Sequence, residues 1–179
     1  MSSKKAGWLE AGLEILTTEG PGGLTIDNLV SRLGKTKGAF YHHFSSSRNF
    51  VKQLLTYWAE TYTDQILEKS NRGTTPNEKL KSLVQSTLKI PRKMELAVRA
   101  WALYNPDVKE YQEKVDKARL NYLTEIFFSV TKDKKNSSRK AFKIYSAFIG
   151  YQQLASYIIG NKSPVITELF EIANYEMEN

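Results

Sequence analysis

Residues 33–44 read "LGKTKGAFYHHF", and the way this stretch folds decides how the whole chain is organised. It holds the only two histidines of the sequence, His42 and His43, with glycines at 34 and 38 and lysines at 35 and 37. Just upstream, Thr25 is suited to cap a helix. Leu24 before it and Leu29 after it form a hydrophobic staple, and Asp27 falls in the first turn, where the dipole is positive. This predicts a short helix over 26–33 that ends on Gly34 in a left-handed conformation, with Thr36 capping a third helix soon after. Two short helices across a tight glycine turn make a helix-turn-helix.

In the third helix Phe40 and Phe44 are four apart and point one way, into a core with the first two helices. Ala39, Tyr41, His42 and His43 are left for the other faces. A lysine in a first helical turn opposes the dipole by about 0.3–1 kcal/mol. Lys37 sits there, which makes sense if an external anion docks at that end, since backbone N–H groups and the dipole favour phosphate. Gly38 removes a side chain where a nucleic-acid backbone would pass. Tyrosine and histidine donate to phosphate oxygens, and a small residue such as Ala39 can lie against a thymine methyl in the major groove. The segment therefore reads as a recognition helix. The alternatives are rim packing for Tyr41 and a solvated charge for Lys35. Metal binding by the histidine pair is disfavoured, because adjacent helical residues diverge by about 100° and no third ligand cluster accompanies them.

Outward from this stretch, helical periodicity continues in both directions. Lys4 to Glu19 places Trp8, Leu9, Gly12, Leu13 and Leu16 on one face, and "EGPGG" stops it. The serines 45–47 read as the cap of a long fourth helix, with Phe50, Val51, Leu54, Leu55, Trp58 and Tyr62 as its apolar stripe, running to Ser70; no nucleophile elbow surrounds them. "NRGTTPNE" reads as a loop. Further helices follow over Asn77–Ile90, Met94–Tyr104 and from Pro106 through Phe127. "KDKKNSS" is a solvated connection, and the last pair covers Ser138–Gly160 and Pro164–Met177, the latter capped by Ser163. The expectation is an all-α protein of about nine helices, with a helix-turn-helix domain over 1–47 and a helical regulatory and dimerisation domain over 48–179.

The chain has 179 residues, no cysteine and a net charge of +7. Its length permits a sizeable core, and the missing cysteines exclude disulfides, thiolate catalysis and cysteine-bound zinc. No apolar run of signal-peptide length follows the N-terminal lysines, so the cytoplasm is the expected location. The uncharged run "IYSAFIGYQQLASYIIGN" has the length of a membrane span, but its glutamines, serines and tyrosines favour a buried protein helix. The positive charge suggests an anionic partner and is unevenly spread. Between Asn28 and Ala59 no acidic residue occurs, while Arg32, Lys35, Lys37, Arg48 and Lys52 do. No metal motif, nucleophile constellation or phosphate loop is present, so an enzyme is the least favoured reading and no cofactor is expected.

"LTIDNLVSRLGKTKGAFYHHFSSSRNFVKQLLTYW" resembles the DNA-binding domain of the tetracycline-repressor (TetR) family, through its capping threonine, turn glycine, Thr-Lys-Gly and Phe-Tyr-x-His-Phe in order. "MELAVRAWALYNPDVKEYQEKVDKARLNYLTEIF" is similar to the regulatory domain of one branch of it. The resemblance implies a dimeric repressor of transcription that binds double-stranded operator DNA and is released by a small molecule. Carried over by position, Thr25, Thr36, Lys37, Tyr41 and His43 would contact phosphates, Ala39 and His42 would face base edges, and Arg48 would reach the backbone from the fourth helix. Lys35 and Gly38 complete the DNA-facing set. Lys35 stands where the family usually has a small apolar residue, and Ala39 lacks the hydroxyl often found there. The alternative is an all-helical small-molecule or protein-binding module that has lost specific DNA binding.

The helix from Ser138 is apolar on two sides, so it needs a second partner surface. Phe142, Tyr145, Ser146, Ile149, Gly150 and Gln153, with Leu169, Phe170 and Ala173 from the last helix, are the expected interface of a homodimer built as a four-helix contact. Such a dimer implies a pseudo-palindromic operator. Trp58, Tyr62, Trp101, Tyr104 and Tyr122 supply aromatic surface for a ligand cavity with Gln152 as a polar anchor, the alternative being that they are core.

Overall fold

Three hydroxyl caps fix the helix starts around residues 33–44. Thr25 Oγ1 accepts from the Asn28 N–H at 3.1 Å, Thr36 Oγ1 from the Ala39 N–H at 3.2 Å and Ser46 Oγ from the Asn49 N–H at 3.1 Å. Each contributes about 1 kcal/mol. Between the first two, Gly34 takes a left-handed conformation with φ of 59°, which lets its own N–H and that of Lys35 close the preceding helix.

The computed structural model describes residues 3–154 together with 171, 173, 175 and 176, and all regular structure among them is helical. In order these are α1 (Ser3–Glu19), a 3₁₀ turn (Pro21–Gly23), α2 (Ile26–Leu33), α3 (Lys37–His43), α4 (Ser47–Ala59), a π-helical turn (Glu60–Asp64), α5 (Gln65–Asn71), α6 (Pro76–Thr87), α7 (Arg92–Ala102), α8 (Pro106–Thr131) and α9 (Lys134–Leu154). The chain divides into two compact units, Met1–Glu60 with Lys93–Gln112 and Thr61–Arg92 with Glu113–Asn179. The first unit thus reaches beyond residue 47 and includes α4.

In the first unit Phe40 is the centre of an aromatic cluster. Its ring centroid is 5.7 Å from Trp8, 5.1 Å from Phe44 and 5.6 Å from Phe50. Each such pair adds about 0.5–1.5 kcal/mol to plain burial. A Cβ on Gly12 would stand 2.7 Å from Phe50 Cζ, so α1 and α4 approach more closely there than a side chain allows. Arg32 of α2 pairs with Glu14 at 3.0 Å and also with Glu19, both on α1. One of the cations of the acid-free stretch is therefore spent on holding α2.

The second unit has a core of Leu80, Leu83, Val84, Leu123, Ile126, Phe127, Ala141, Ile144, Tyr145, Phe148 and Ala173. Its first helix follows the π turn, where the i to i+4 ladder is interrupted. Arg119 of α8 donates from Nη2 to the Tyr62 carbonyl at 3.2 Å and from Nε to Thr63 Oγ1 at 3.1 Å, which satisfies groups at that turn. Thr75 and Glu78 form a reciprocal capping box at the start of α6. Hydrogen bonds from Thr74 and Thr75 hold the Glu78 carboxyl below its usual pKa. The connection before α9 is shorter than the sequence suggests. Asp133 Oδ1 accepts from the N–H groups of Lys135 and Asn136, so the helix begins at Lys134 and not at Ser138.

On α9 the inward face is Ile144, Tyr145 and Phe148, all buried, whereas Phe142, Ser146 and Gln153 are exposed and Ile149 and Gly150 half-buried. Tyr145 donates to Asp116 Oδ1 at 2.6 Å. It packs within its own unit rather than on the outer stripe, held by that bond and by stacking on Phe148 with ring centroids 6.3 Å apart. Of the remaining interface expectations, Ala173 is buried in the core, and Leu169 and Phe170 lie outside the described residues, as do Pro164 and the stretch to Gly160.

Candidate nucleic-acid interface

The two aromatic anchors of α3 decide which of its side chains meet solvent. With Phe40 and Phe44 buried, Lys35, Thr36, Lys37, Gly38, Tyr41 and His42 are exposed, and Ala39 and His43 are half-buried. Thr25, at the head of α2, is exposed as well. The residues of α2 and α3 expected to face DNA thus lie at least partly open to solvent. A Cβ on Gly38 would meet only Thr36 Oγ1, at 3.7 Å, so nothing in the protein requires a glycine there. His42 and His43 lie with ring centroids 5.1 Å apart and nearly perpendicular. Among the described residues no group of three His, Cys, Asp or Glu side chains is placed to hold a metal.

Two cations of the set have carboxylate neighbours that the sequence did not announce. Lys37 Nζ is 2.7 Å from Asp27 Oδ1, both side chains being open to water. The hydrogen bond to Asp27, then its charge, raise the Lys37 pKa above the ordinary lysine value. Arg48 donates to Asp107 Oδ2 from Nε at 3.2 Å and from Nη2 at 2.9 Å, and Asp107 lies in the first turn of α8. Exposed pairs of this kind are screened by water and contribute little to stability. They can open for a competing anion.

Residues 9–54 match the family model described as bacterial regulatory proteins, tetR family. Residues 9–54 thus form a domain of the tetR family type. No curated protein sequence matches it. Solved structures share its fold at low identity. A TetR transcription regulator from Haloarcula marismortui is 16% identical over 99% of this chain and 98% of its own, with a TM-score of 0.78. A Saccharomonospora viridis protein in complex with choline is 15% identical over 100% and 97%, with a TM-score of 0.80. A transcriptional regulator from Rhodococcus sp. Rha1 is 16% identical over 97% and 94%, with a TM-score of 0.77.

Of the six residues expected around a ligand, Trp58, Trp101 and Tyr104 belong to the first unit and Tyr62, Tyr122 and Gln152 to the second. Trp58 is fully buried in the first unit, its Nε1 without a hydrogen-bond partner among the described residues. Trp101 is half-buried on α7 and Tyr104 is 88% exposed in the turn after it, so Tyr104 faces water and no cavity. Tyr122 donates to Ser70 Oγ at 3.0 Å, and burial pushes its hydroxyl pKa up. Tyr62 lines a cavity of about 290 Å³ with Gln65 and Lys89, and Gln152 lines another of about 310 Å³ beside Arg92. A third, apolar space among Leu83, Leu123, Tyr145 and Phe148 holds only about 50 Å³. Arg92 lines the cavity of Gln152 and Arg119 the apolar space; neither carries an aromatic signal in the sequence, and a cation beside a break such as Ile90–Pro91 gives no periodic mark.

Proposed function

We propose that the chain is a sequence-specific DNA-binding transcriptional repressor that acts as a homodimer and leaves its operator when a small molecule binds the second unit. The observation that carries this reading is the face of α3: two phenylalanines lock the helix to the core while Lys37, Gly38, Tyr41 and His42 are exposed on one side. In this reading Thr25, Thr36, Lys37, Tyr41 and His43 engage phosphates, and Ala39 and His42 meet base edges in the major groove. Gly38 lets the sugar–phosphate backbone come close. Arg48 exchanges Asp107 for phosphate. The exposed stripe of α9 serves the dimer, which in turn sets two half-sites about one helical turn apart.

The second reading, a binding module without specific DNA affinity, is favoured by one observation: Asp27 and Asp107 already occupy two of the cations. Fluorescence anisotropy on duplex DNA from upstream of the chain's own gene, against a shuffled duplex and across a salt series, separates the two. A repressor holds the native duplex more tightly near physiological salt. Equal binding to both duplexes that collapses as salt rises would favour the module.

A further inference from the structure

The second unit contains a cation that its described surroundings leave short of partners. Arg92, the first residue of α7, has a buried Nη1 with no hydrogen-bond partner among the described residues. Its guanidinium carbon lies 5.9 Å from the centre of the Tyr151 ring, a cation–π contact that holds the side chain in place. Folded proteins pair nearly all such buried donors, and a guanidinium presents its N–H groups as a planar fork.

The same arginine lines the cavity of about 310 Å³ formed by the end of α6, the Ile90–Pro91 connection and α9. Gln152 lines it too; only 3% exposed, it brings an amide donor and an acceptor to the wall. Tyr151 and Phe148 supply aromatic surface. Among the described lining residues Arg92 is the only charged one, and Lys89 and Lys93 flank it in sequence. The volume falls at the lower end of ligand sites, about 300–1,000 Å³.

We propose that this cavity is the effector site and takes a small organic carboxylate. The fork of Arg92 binds the carboxylate in the two-point geometry that guanidinium and carboxylate share, Gln152 adds a further hydrogen bond, and the body of the acid rests on Tyr151 and Phe148. The assignment rests on the reading of the chain as a ligand-responsive regulator. A guanidinium wall would repel a cation such as choline.

The test is calorimetric titration of the full chain with benzoate, phenylacetate and succinate, against benzamide and choline. At least one of the acids is expected to bind saturably, with benzamide weaker than benzoate by about 10- to 100-fold for want of the charge-assisted bonds. Arg92→Ala should weaken the acid by a similar factor, and Arg92→Lys should recover only part, with circular dichroism checking the fold of each variant. If Arg92→Ala fails to fold, the acid–amide comparison and Arg92→Lys still decide. No binding of any of the acids, equal binding of benzoate and benzamide, or unaltered affinity in both variants would overturn the site. The bound acid should also lower the affinity for operator DNA; binding with unchanged DNA affinity would overturn its role as effector. Failure of the acid-free chain to bind DNA would remove the regulator reading and the effector role with it, while the calorimetry would still decide the carboxylate site.

Discussion

The Lys37 ammonium and the Asp27 carboxylate, 2.7 Å apart and both in water, set opposite signs at the point where phosphate is proposed to dock. Removing the cation by Lys37→Ala should weaken binding to every duplex and lower the salt slope by about one. Removing the anion by Asp27→Asn should act the other way, tightening binding at low salt by about 2- to 5-fold, the worth of a pair near the upper end for exposed charges. Anisotropy titrations on both variants check this, and unchanged affinity for both would mean that the lysine is not at the interface. Gly38 allows folding and binding to be separated. Gly38→Ala has room in the protein, with only Thr36 Oγ1 at 3.7 Å, and should raise stability by about 0.5–1 kcal/mol in thermal unfolding. If a DNA backbone passes there, the same variant should bind DNA less well. The caps, the left-handed Gly34 and the buried Phe40 and Phe44 were legible because each depends on neighbours within a few positions. Asp27 and Asp107 were legible as acids and not as partners, since nothing local pairs residue 48 with residue 107.

Among the elements, the same boundary between local and distant causes recurs. The range 26–33 for α2 follows from a threonine cap and a glycine stop, whereas the π turn at Glu60–Asp64 has no sequence mark inside an unbroken apolar stripe. It is matched by Arg119, which arrives from α8 and donates to Tyr62 and Thr63. The start of α6 at Pro76 lies one residue from the expected Asn77, and its Thr-x-x-Glu box closes inside the stretch that Gly73 and Pro76 mark as a loop. Thr75→Ala should therefore cost about 1 kcal/mol, seen as a shift in denaturant midpoint without change in slope. A second element-level prediction concerns α9 and Glu176. Lys143 hydrogen-bonds the Glu176 carboxyl at 2.8 Å, and buried Lys140 pairs with it and donates to its backbone carbonyl. The bond from Lys143, with the charges of both lysines, holds this carboxyl below the usual glutamate range. A depressed folded pKa contributes stability above the unfolded value of about 4.3 and loses it as pH falls through the folded value. Melting temperature across acidic pH should thus fall less steeply in Glu176→Gln than in the unaltered chain, from a lower start at neutral pH.

At the scale of the whole molecule the question is what covers the outer stripe of α9. Phe142 is 64% exposed, and Ser146, Ile149, Gly150 and Gln153 continue from it along one helical face. An exposed aromatic among small residues suits the close approach of a second helix, and a cyclic dimer would place the stripe against its own copy. The alternation of two apolar sides made this face legible; which side turned inward was not, because that depends on α6 and α8, and Tyr145 went to Asp116. Phe142→Glu would set two carboxylates near the symmetry axis of such a dimer. Sedimentation should then report a monomer, and affinity for a two-half-site operator should fall about 100-fold or more as the second half-site contact ceases to be intramolecular. Phe128→Glu, at another exposed phenylalanine, this one on α8, serves as the control and should leave both measurements unchanged. A Phe142→Glu chain that still sediments as a dimer would assign self-association to a different face. The half-site geometry proposed for α3 would then have to be rebuilt from that face.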